Sequence, residues 1–382
     1  MRIAINLAAV KSVGTKVYCS GFIPALARLA LEDQFILFMS PELAQLIGSD
    51  LPENFEQHIT SVTDNVIARI LWEQVLLPIY LGRWRADVLF APMEFTPLFS
   101  PCPMVLAIHN PSPHLANGLQ NRFRRCLSSL SCRAADRVIF VSKYSAEFLG
   151  SRLGVPPSKR AVIYHGTDHT RWVRHINPET VLSKYGVRDV PYLLFVSQLY
   201  HVKRPETLIK AFAHWLQTTG RNNYRLLLTG TAVDPHFSKV LKALVAKLGI
   251  GERARFLGYV PAADIPILYQ NATAFVLPTS IETFGHPFVE AMSCGVPVIC
   301  ADIPVAHEIC GDAALYFPVG DTDALAQAIE SLVSGPDMRA QMIRLGRGRA
   351  AQFTWDREAL ETLVLLHGLA ADNRRNISNS ER

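Results

Sequence analysis

The sequence predicts two consecutive doubly wound α/β domains. Three observations carry this expectation. Short β-branched and apolar runs alternate with longer amphipathic stretches along most of the chain. The alternation stops over residues 165–190, then resumes. The 382 residues exceed what one core of ordinary size organises.

In the first half, strands are expected at Arg2–Asn6, Gln34–Met39, Asp87–Phe90, Met104–His109, Arg137–Val141 and Ala161–Tyr164. Helical patterns at Tyr18–Leu31, Gly118–Ala135 and Lys143–Leu153 lie between them. Continuous apolar strands separated by helices imply a parallel sheet covered on both faces. Residues 165–190 are polar, contain Pro178 and Gly186, and read as a connector. The second series has strands at Tyr192–Ser197, Arg225–Thr229, Ala254–Leu257, Ala274–Leu277 and Val296–Cys300. Its helices fall at Pro205–Leu216, Phe237–Leu248, Ile265–Gln270, Pro287–Cys294 and Thr322–Val333, and the tail Asp372–Arg382 reads as frayed. Open parallel sheets bind ligands beyond the carboxyl ends of their strands, so two such domains are expected to face each other across a ligand-binding cleft.

Composition narrows the function classes. A formal net charge of +5 is too small for the dense basic stripe of a nucleic-acid binder. Seven cysteines without a CxxC spacing read as free thiols in a reducing, cytoplasmic setting. The opening MRIAINLAAV reads as a buried first strand, because Lys11 follows without a cleavage pattern. Nothing approaches the roughly 18 apolar residues of a membrane span. The greasiest stretch, Ile67–Leu81, is broken by Arg69, Glu73, Gln74 and Pro78.

The most informative segment is LPTSIETFGHPFVEAMSCGVPVICAD, Leu277–Asp302. A strand ends at Pro278 and a small polar loop leads to Gly285. Pro287 suits a first helical turn, where its missing N–H costs nothing. Thr283, Phe284, Gly285 and His286 then present backbone N–H groups at a helix start, which attracts phosphate and oxygen-rich ligands. Glu282 precedes the helix and Glu290 lies about one turn into it. Two carboxylates so placed suit the two ends of one elongated, hydroxyl-rich ligand. Two glutamates alone would equally fit solvated charges at a helix N-terminus; the whole strand–loop–helix–Gly–strand context favours function.

This segment resembles the EX7E signature of retaining glycosyltransferases, specifically family four, through Ser280, Glu282, Phe284, Gly285, Pro287, Glu290, Ala291, Met292, Cys294, Gly295, Pro297 and Val298. Thr283 replaces the loop's first glycine, and His286 stands where an aliphatic residue is frequent. The likeness covers nearly the whole chain and implies a GT-B architecture. Residues 1–170 are then an acceptor-binding Rossmann-like domain and 188–352 a nucleotide-sugar-binding one, with a helix at about 355–370, after Phe353-Thr354-Trp355, packing back on the first. Phe195–Phe212 resembles the donor domain's first strand–loop–helix. There Lys203 matches a lysine on the donor diphosphate, Gln198 occupies the usual arginine position, and neighbouring Arg204 stands ready to supply the missing charge. Gly14, in Val13-Gly14-Thr15, matches a small-residue loop approaching the donor phosphates, and reads as well as a plain turn. His109 matches a histidine facing the sugar. Val141–Tyr144 and Tyr164–Asp168 match positions that shape the cleft and are assigned no chemistry.

The resemblance implies transfer of a hexose with retention, Glu282 orienting the hexose and Glu290 the ribose. Lys203, Arg204 and N–H groups near Gly285 would stabilise the departing diphosphate without a metal or other cofactor. The stretch Ile303–Phe317 looks most like bacterial mannosyltransferases of surface-polysaccharide and lipopolysaccharide assembly. GDP-mannose is therefore the first donor expected, with a UDP-sugar such as UDP-glucose as the alternative. The acceptor expected is a saccharide or lipid-linked saccharide. Arg122, Arg124 and Arg125 suit peripheral contact with the inner membrane surface and, equally, a solvated helix face. Rival readings are an epimerase or phosphorylase of the same architecture, a nicotinamide oxidoreductase, disfavoured by the lack of G-x-G-x-x-G after either first strand, and a non-enzymatic sugar-nucleotide binder.

Overall fold

The computed structural model describes residues 1–10, 13–48, 50–60, 66–93, 95–109, 118–173, 177–232 and 234–380. The chain divides into two compact units: Met1–Gly166 with Thr354–Arg382, and Thr167–Phe353. Each is an α/β unit on its own parallel sheet.

The first unit holds β1 (Arg2–Leu7), β2 (Gln34–Met39), β3 (Phe55–Ile59), β4 (Val88–Ala91), β5 (Met104–Ile108), β6 (Arg137–Phe140) and β7 (Arg160–Val162). Their order is β3-β2-β1-β4-β5-β6-β7, all neighbours parallel. Apolar side chains on both faces of the central strands explain their continuous burial: β4 and β5 have no exposed position. Ile3, Ile5, Val88, Phe90 and Val105 share one core with Phe22 and Leu26 of the helix Val13–Leu29. That helix starts five residues before the expected Tyr18 and takes Gly14 out of the loop into its first turn. The greasy stretch is a helix in three pieces, Val66–Leu71, a π turn at Trp72–Leu76, and Leu77–Trp84. Pro78 has no N–H for a regular bond, and the wider turn just before it is closed by Leu77 N–H on Trp72 O.

The C-terminal segment belongs to this unit. Its helix runs Trp355–Ser380, past the tail expected to fray, and Arg374 holds Asp87 at 2.8 Å. His367 lies 2.8 Å from Asp33, and Arg28 pairs with Asp356. The backbone at Trp355 passes so close to Gly166 that a Cβ there would lie 2.3 Å from the Trp355 amide nitrogen.

The second unit holds β8 (Tyr192–Val196), β9 (Arg225–Thr229), β10 (Ala254–Gly258), β11 (Ala274–Leu277), β12 (Val298–Ala301) and β13 (Ala314–Phe317), ordered β10-β9-β8-β11-β12-β13 and parallel throughout. Proline opens the helices Pro205–Thr219, Pro235–Lys247, Pro304–Cys310 and Pro336–Ala350. The helices Pro205–Thr219 and Thr322–Ser334 are tied by Glu330, which accepts from Trp215 Nε1 at 2.7 Å and from Arg221, just beyond the first helix, at 2.9 Å.

The expected connector is part of this unit, which therefore begins at Thr167 rather than 188. Thr167 N–H donates to Phe353 O at 3.1 Å, Gln270 Nε2 to Trp172 O at 2.6 Å, and Arg171 to Ala262 O at 2.9 Å. Arg171 and Trp172 lie on the short helix His169–Val173, and the helix Pro178–Lys184 adds Lys184 on Asp264 at 2.7 Å; polar composition disguised both as linker. Of the connector, residues 174–176 lie outside the described residues.

Candidate active site

In the second unit the chain leaves β8 toward β9 on one side and returns through β10 to β11 on the other. The carboxyl ends of β8 and β11 therefore flank a topological switch point, the place where open α/β sheets bind ligands. Gln198, Lys203 and Arg204 follow β8; Glu282 to His286 follow β11.

The two loops are tied together. Ser280 N–H donates to Val202 O at 2.8 Å, and Thr279 Oγ1 donates to the same oxygen at 3.2 Å. This brings Lys203 Nζ onto Glu282 Oε1 as an ion pair, with side chains 18% and 11% exposed. The pairing is absent from the sequence reading, which gave the two residues separate tasks. Arg204 takes a left-handed conformation, φ 49°, at the start of the helix Pro205–Thr219, with its guanidinium beside Gly320. Gln198 is exposed on the same loop.

The helix after β11 runs His286–Ser293. Gly285 caps it at φ 86°, and a Cβ there would lie 2.5 Å from Phe288 Cδ2. Both the backbone angle and the close approach demand glycine. Thr283 and Phe284 are buried; Phe284 meets Phe353 edge-on at 5.5 Å and His286 at 5.2 Å. The loop is thus held from beneath while its N–H groups sit at a helix start.

Glu290 lies on the same helix. Its Oε2 accepts from the Tyr269 hydroxyl at 3.2 Å. Burial pushes its carboxyl up to about 7, against the pull of that hydrogen bond and of the Arg171 charge. Tyr269 and Arg171 come from elements that the motif does not contain.

The first unit places His109 just beyond β5. The Tyr18 ring lies against it at 4.7 Å, tilted by 59°, and His109 Nδ1 lies 3.0 Å from His165 Nε2, rings 13° from parallel. His165 Nδ1 lies 3.0 Å from Glu358 Oε1, and Gly166 N–H donates to Glu358 Oε2 at 2.7 Å. The sequence reading gave His165 no chemistry and did not single out Glu358. Gly14 is exposed with open space where a Cβ would stand, and the expected loop Val13-Gly14-Thr15 is instead the first turn of a helix. Ser142 of the other cleft-shaping stretch caps the helix Lys143–Arg152 by accepting from Ser145 N–H. Arg122 and Phe123 are exposed on the helix Leu119–Ala134, Arg124 and Arg125 half-buried. Among the described residues no cluster of three metal-ligating side chains occurs, and no helix is long and apolar enough to cross a membrane.

Two family models match the chain: Glycosyltransferase Family 4 over residues 42–171 and Glycosyl transferases group 1 over residues 180–349. The O-antigen chain mannosyltransferase B of Escherichia coli is 34% identical over 183 residues, covering 48% of this chain and 47% of that protein. The O-antigen chain mannosyltransferase RfbU of Salmonella typhimurium is 27% identical over 219 residues, 57% of each chain. The matches thus span about half the length of these relatives. The crystal structure of Anabaena Alr3699/HepE in complex with UDP and glucose superposes with a TM-score of 0.77 at 20% identity, covering 97% of this chain and all of that one. The fold of both units is accordingly that of GT-B glycosyltransferases.

Proposed function

We propose, for a chain that is a family-4-like glycosyltransferase with a group 1 domain following a family 4 domain, that it transfers a hexose from a nucleotide-sugar donor to a saccharide or lipid-linked saccharide acceptor. The observation that carries this reading is the Lys203–Glu282 pair at the β8/β11 switch point, beside the glycine-capped helix that bears Glu290.

Lys203 lies, through Glu282, beside the loop whose backbone N–H groups open the helix His286–Ser293. A diphosphate there gives it a second anionic partner and takes up the negative charge that develops as the anomeric bond breaks. Arg204 supplies the second positive charge on a loop where Gln198 supplies none. This reading assigns charge stabilisation to these groups and invokes no metal. Glu282, already aligned by Lys203, accepts from hexose hydroxyls, and Glu290 from the ribose. In the first unit His109 contributes a ring nitrogen toward the sugar. Retention proceeds by attack on the face the leaving group vacates, through an oxocarbenium-like state; no carboxylate is assigned as a covalent nucleophile.

Mannose, from GDP-mannose, is the first donor proposed. The likeness to two O-antigen mannosyltransferases supports it. A UDP-sugar is the alternative, supported by the fold shared with a UDP- and glucose-bound protein. Peripheral association with an anionic membrane is proposed from Arg122 and the exposed apolar residues Phe123, Leu71, Val75 and Ile79 of the first unit. A cytoplasmic location goes with it.

The test is direct. Thermal shift against GDP-mannose, UDP-glucose and their diphosphates identifies the nucleotide, because a ligand of the folded state raises apparent stability. Sugar transfer is then measured for the native chain and for E282A, whose fold is checked by circular dichroism. Transfer by the native chain and none by folded E282A supports the assignment. Undiminished transfer by E282A sinks it, and donor epimerisation without transfer replaces it with the epimerase reading.

A further inference from the structure

We propose that Tyr269 is a positioning residue for Glu290: its hydroxyl holds one carboxylate oxygen, so that the other is presented to the vicinal hydroxyls of the donor's ribose. The proposal deepens the glycosyltransferase reading and rests on it for the identity of that diol.

Tyr269 is braced by its neighbours. It lies fully buried on the helix Ile265–Gln270. Its ring meets Trp172 edge-on at 5.9 Å and Phe275 of β11 at 5.5 Å. Trp172 is itself fixed, its Nε1 donating to Thr167 Oγ1 at 2.9 Å and its carbonyl accepting from Gln270 Nε2 at 2.6 Å. A ring packed in this way has little rotamer freedom, so its hydroxyl stands at one place, 3.2 Å from Glu290 Oε2.

The direction of that bond follows from the chemistry of the two groups. Burial, with the Glu290 charge beside it, keeps the phenol protonated. Its one proton therefore goes to Oε2 when Glu290 is ionised. The bond favours the ionised carboxyl, as does the Arg171 charge, against the burial that pushes it up to about 7. An ionised carboxylate only accepts, which is what two hydroxyl donors of a diol require.

The other oxygen lies on the open side of the helix. Along His286–Ser293 only His286, Pro287 and Glu290 keep solvent contact. His286 and Glu290 are four apart and share one face. That face runs from the helix start, where the backbone N–H groups lie, about 6 Å along the axis to Glu290. A diphosphate on those N–H groups leaves the ribose attached to it within reach of Glu290. Among the described residues no partner meets Oε1, and that oxygen is not sealed from solvent. Tyr269 thus occupies one oxygen and leaves the other for the ligand.

The test measures binding of GDP and UDP, each beside its 2′,3′-dideoxy counterpart, to the full chain by titration calorimetry. The native chain is expected to bind the better ribonucleotide about ten- to a hundredfold tighter than its dideoxy form, the worth of hydrogen bonds to a charged group. Y269F keeps the ring in its contacts and removes only the hydroxyl. It is expected to cut that preference by about fivefold or more, with dideoxy affinity within about twofold of native, a sign that the rest of the pocket is intact. E290A should remove the preference, and adding Y269F to E290A should change nothing further. Under turnover, Y269F should raise donor KM with kcat within about twofold. A preference unchanged in Y269F overturns the proposal, as does a native chain that does not discriminate. Should Y269F not fold, a crystal structure of the native chain with the bound nucleotide decides: Tyr269 still on Oε2 with the ribose on Oε1 supports the proposal, and Glu290 turned away from Tyr269 to meet the ribose overturns it. Failure to bind either nucleotide sinks the glycosyltransferase reading and this proposal together, whereas a preference lost in E290A but kept in Y269F sinks the Tyr269 role alone.

Discussion

Glu290 offers the sharpest thermodynamic check on the site, because its carboxyl is held at about 7 while an unfolded chain would titrate it near 4.5. A raised folded-state pKa means that the folded protein binds the proton more tightly. The cost of ionisation is therefore absent below pH 4.5 and grows as pH rises through 7. At about 1.4 kcal/mol per pK unit the full shift amounts to roughly 3 kcal/mol. Glu290 keeps some solvent contact, which scales this to about 1.5 kcal/mol. E290Q removes the ionisation while keeping the shape, and its amide still meets the Tyr269 hydroxyl. The melting temperature of E290Q minus that of the native chain should rise by about 3–6 °C between pH 4.5 and pH 8, at the 2–4 °C per kcal/mol of a domain this size. Scanning calorimetry across that range, without ligand, reads the difference. Parallel curves would show that Glu290 titrates as an ordinary surface carboxyl, and the buried ribose-end role would lose its basis.

Two further outcomes follow from the second unit. G285A forces an alanine to φ 86° and drives its Cβ into Phe288, so urea unfolding should show a loss of about 2–4 kcal/mol from the combined backbone and overpacking costs; a loss under 0.5 kcal/mol refutes the glycine requirement. Glu330 is held down to about 2, chiefly by its hydrogen bonds to Arg221 and then Ser334. Its contribution is fully present above pH 4.5 and disappears as pH falls through 2. Because the pair is about one-third exposed, E330Q should cost only about 1 kcal/mol at pH 7, and the gap should close near pH 2.

The sheets were legible because parallel strands buried on both faces read as unbroken apolar runs: β2 is QFILFM and β9 is RLLLT. β3, Phe-Glu-Gln-His-Ile, and β13, Ala-Leu-Tyr-Phe, escaped because each lies at a sheet edge, where burial is incomplete. The helix Pro336–Ala350 escaped for a related reason: four arginines and two glycines hide an apolar face of Met342, Gly346 and Ala350. The donor-side loops were legible because the switch point, the glycine cap and both carboxylates are local to two strand–loop–helix units. Their pairing was not, since 79 residues separate Lys203 from Glu282 and only the sheet order brings β8 beside β11.

The first unit's polar array shows where a different signal lay unread. Trp355, Ala359, Leu363, Leu366 and Ala370 form the buried stripe of the last helix, and Glu358 falls on that stripe. A carboxyl in an apolar stripe is costly unless something meets it, so its presence already demanded a partner. That partner is 193 residues away at His165, beyond the reach of local spacing. In the sequence His165 falls in Tyr164–Asp168, a stretch whose resemblance implies only a part in shaping the cleft, so no chemistry is expected of it. The glycine itself has a stricter reason: the backbone at Thr354 and Trp355 leaves no room for a Cβ at 166, and the same approach brings the Gly166 N–H onto Glu358. A single approach of the last helix to the segment after β7 thus fixes both the glycine at 166 and its hydrogen bond to Glu358. W355A leaves those backbone atoms in place and removes instead the ring that meets Tyr18 edge-on at 5.9 Å and lies against Gly21, so its cost is expected in the core of the first unit.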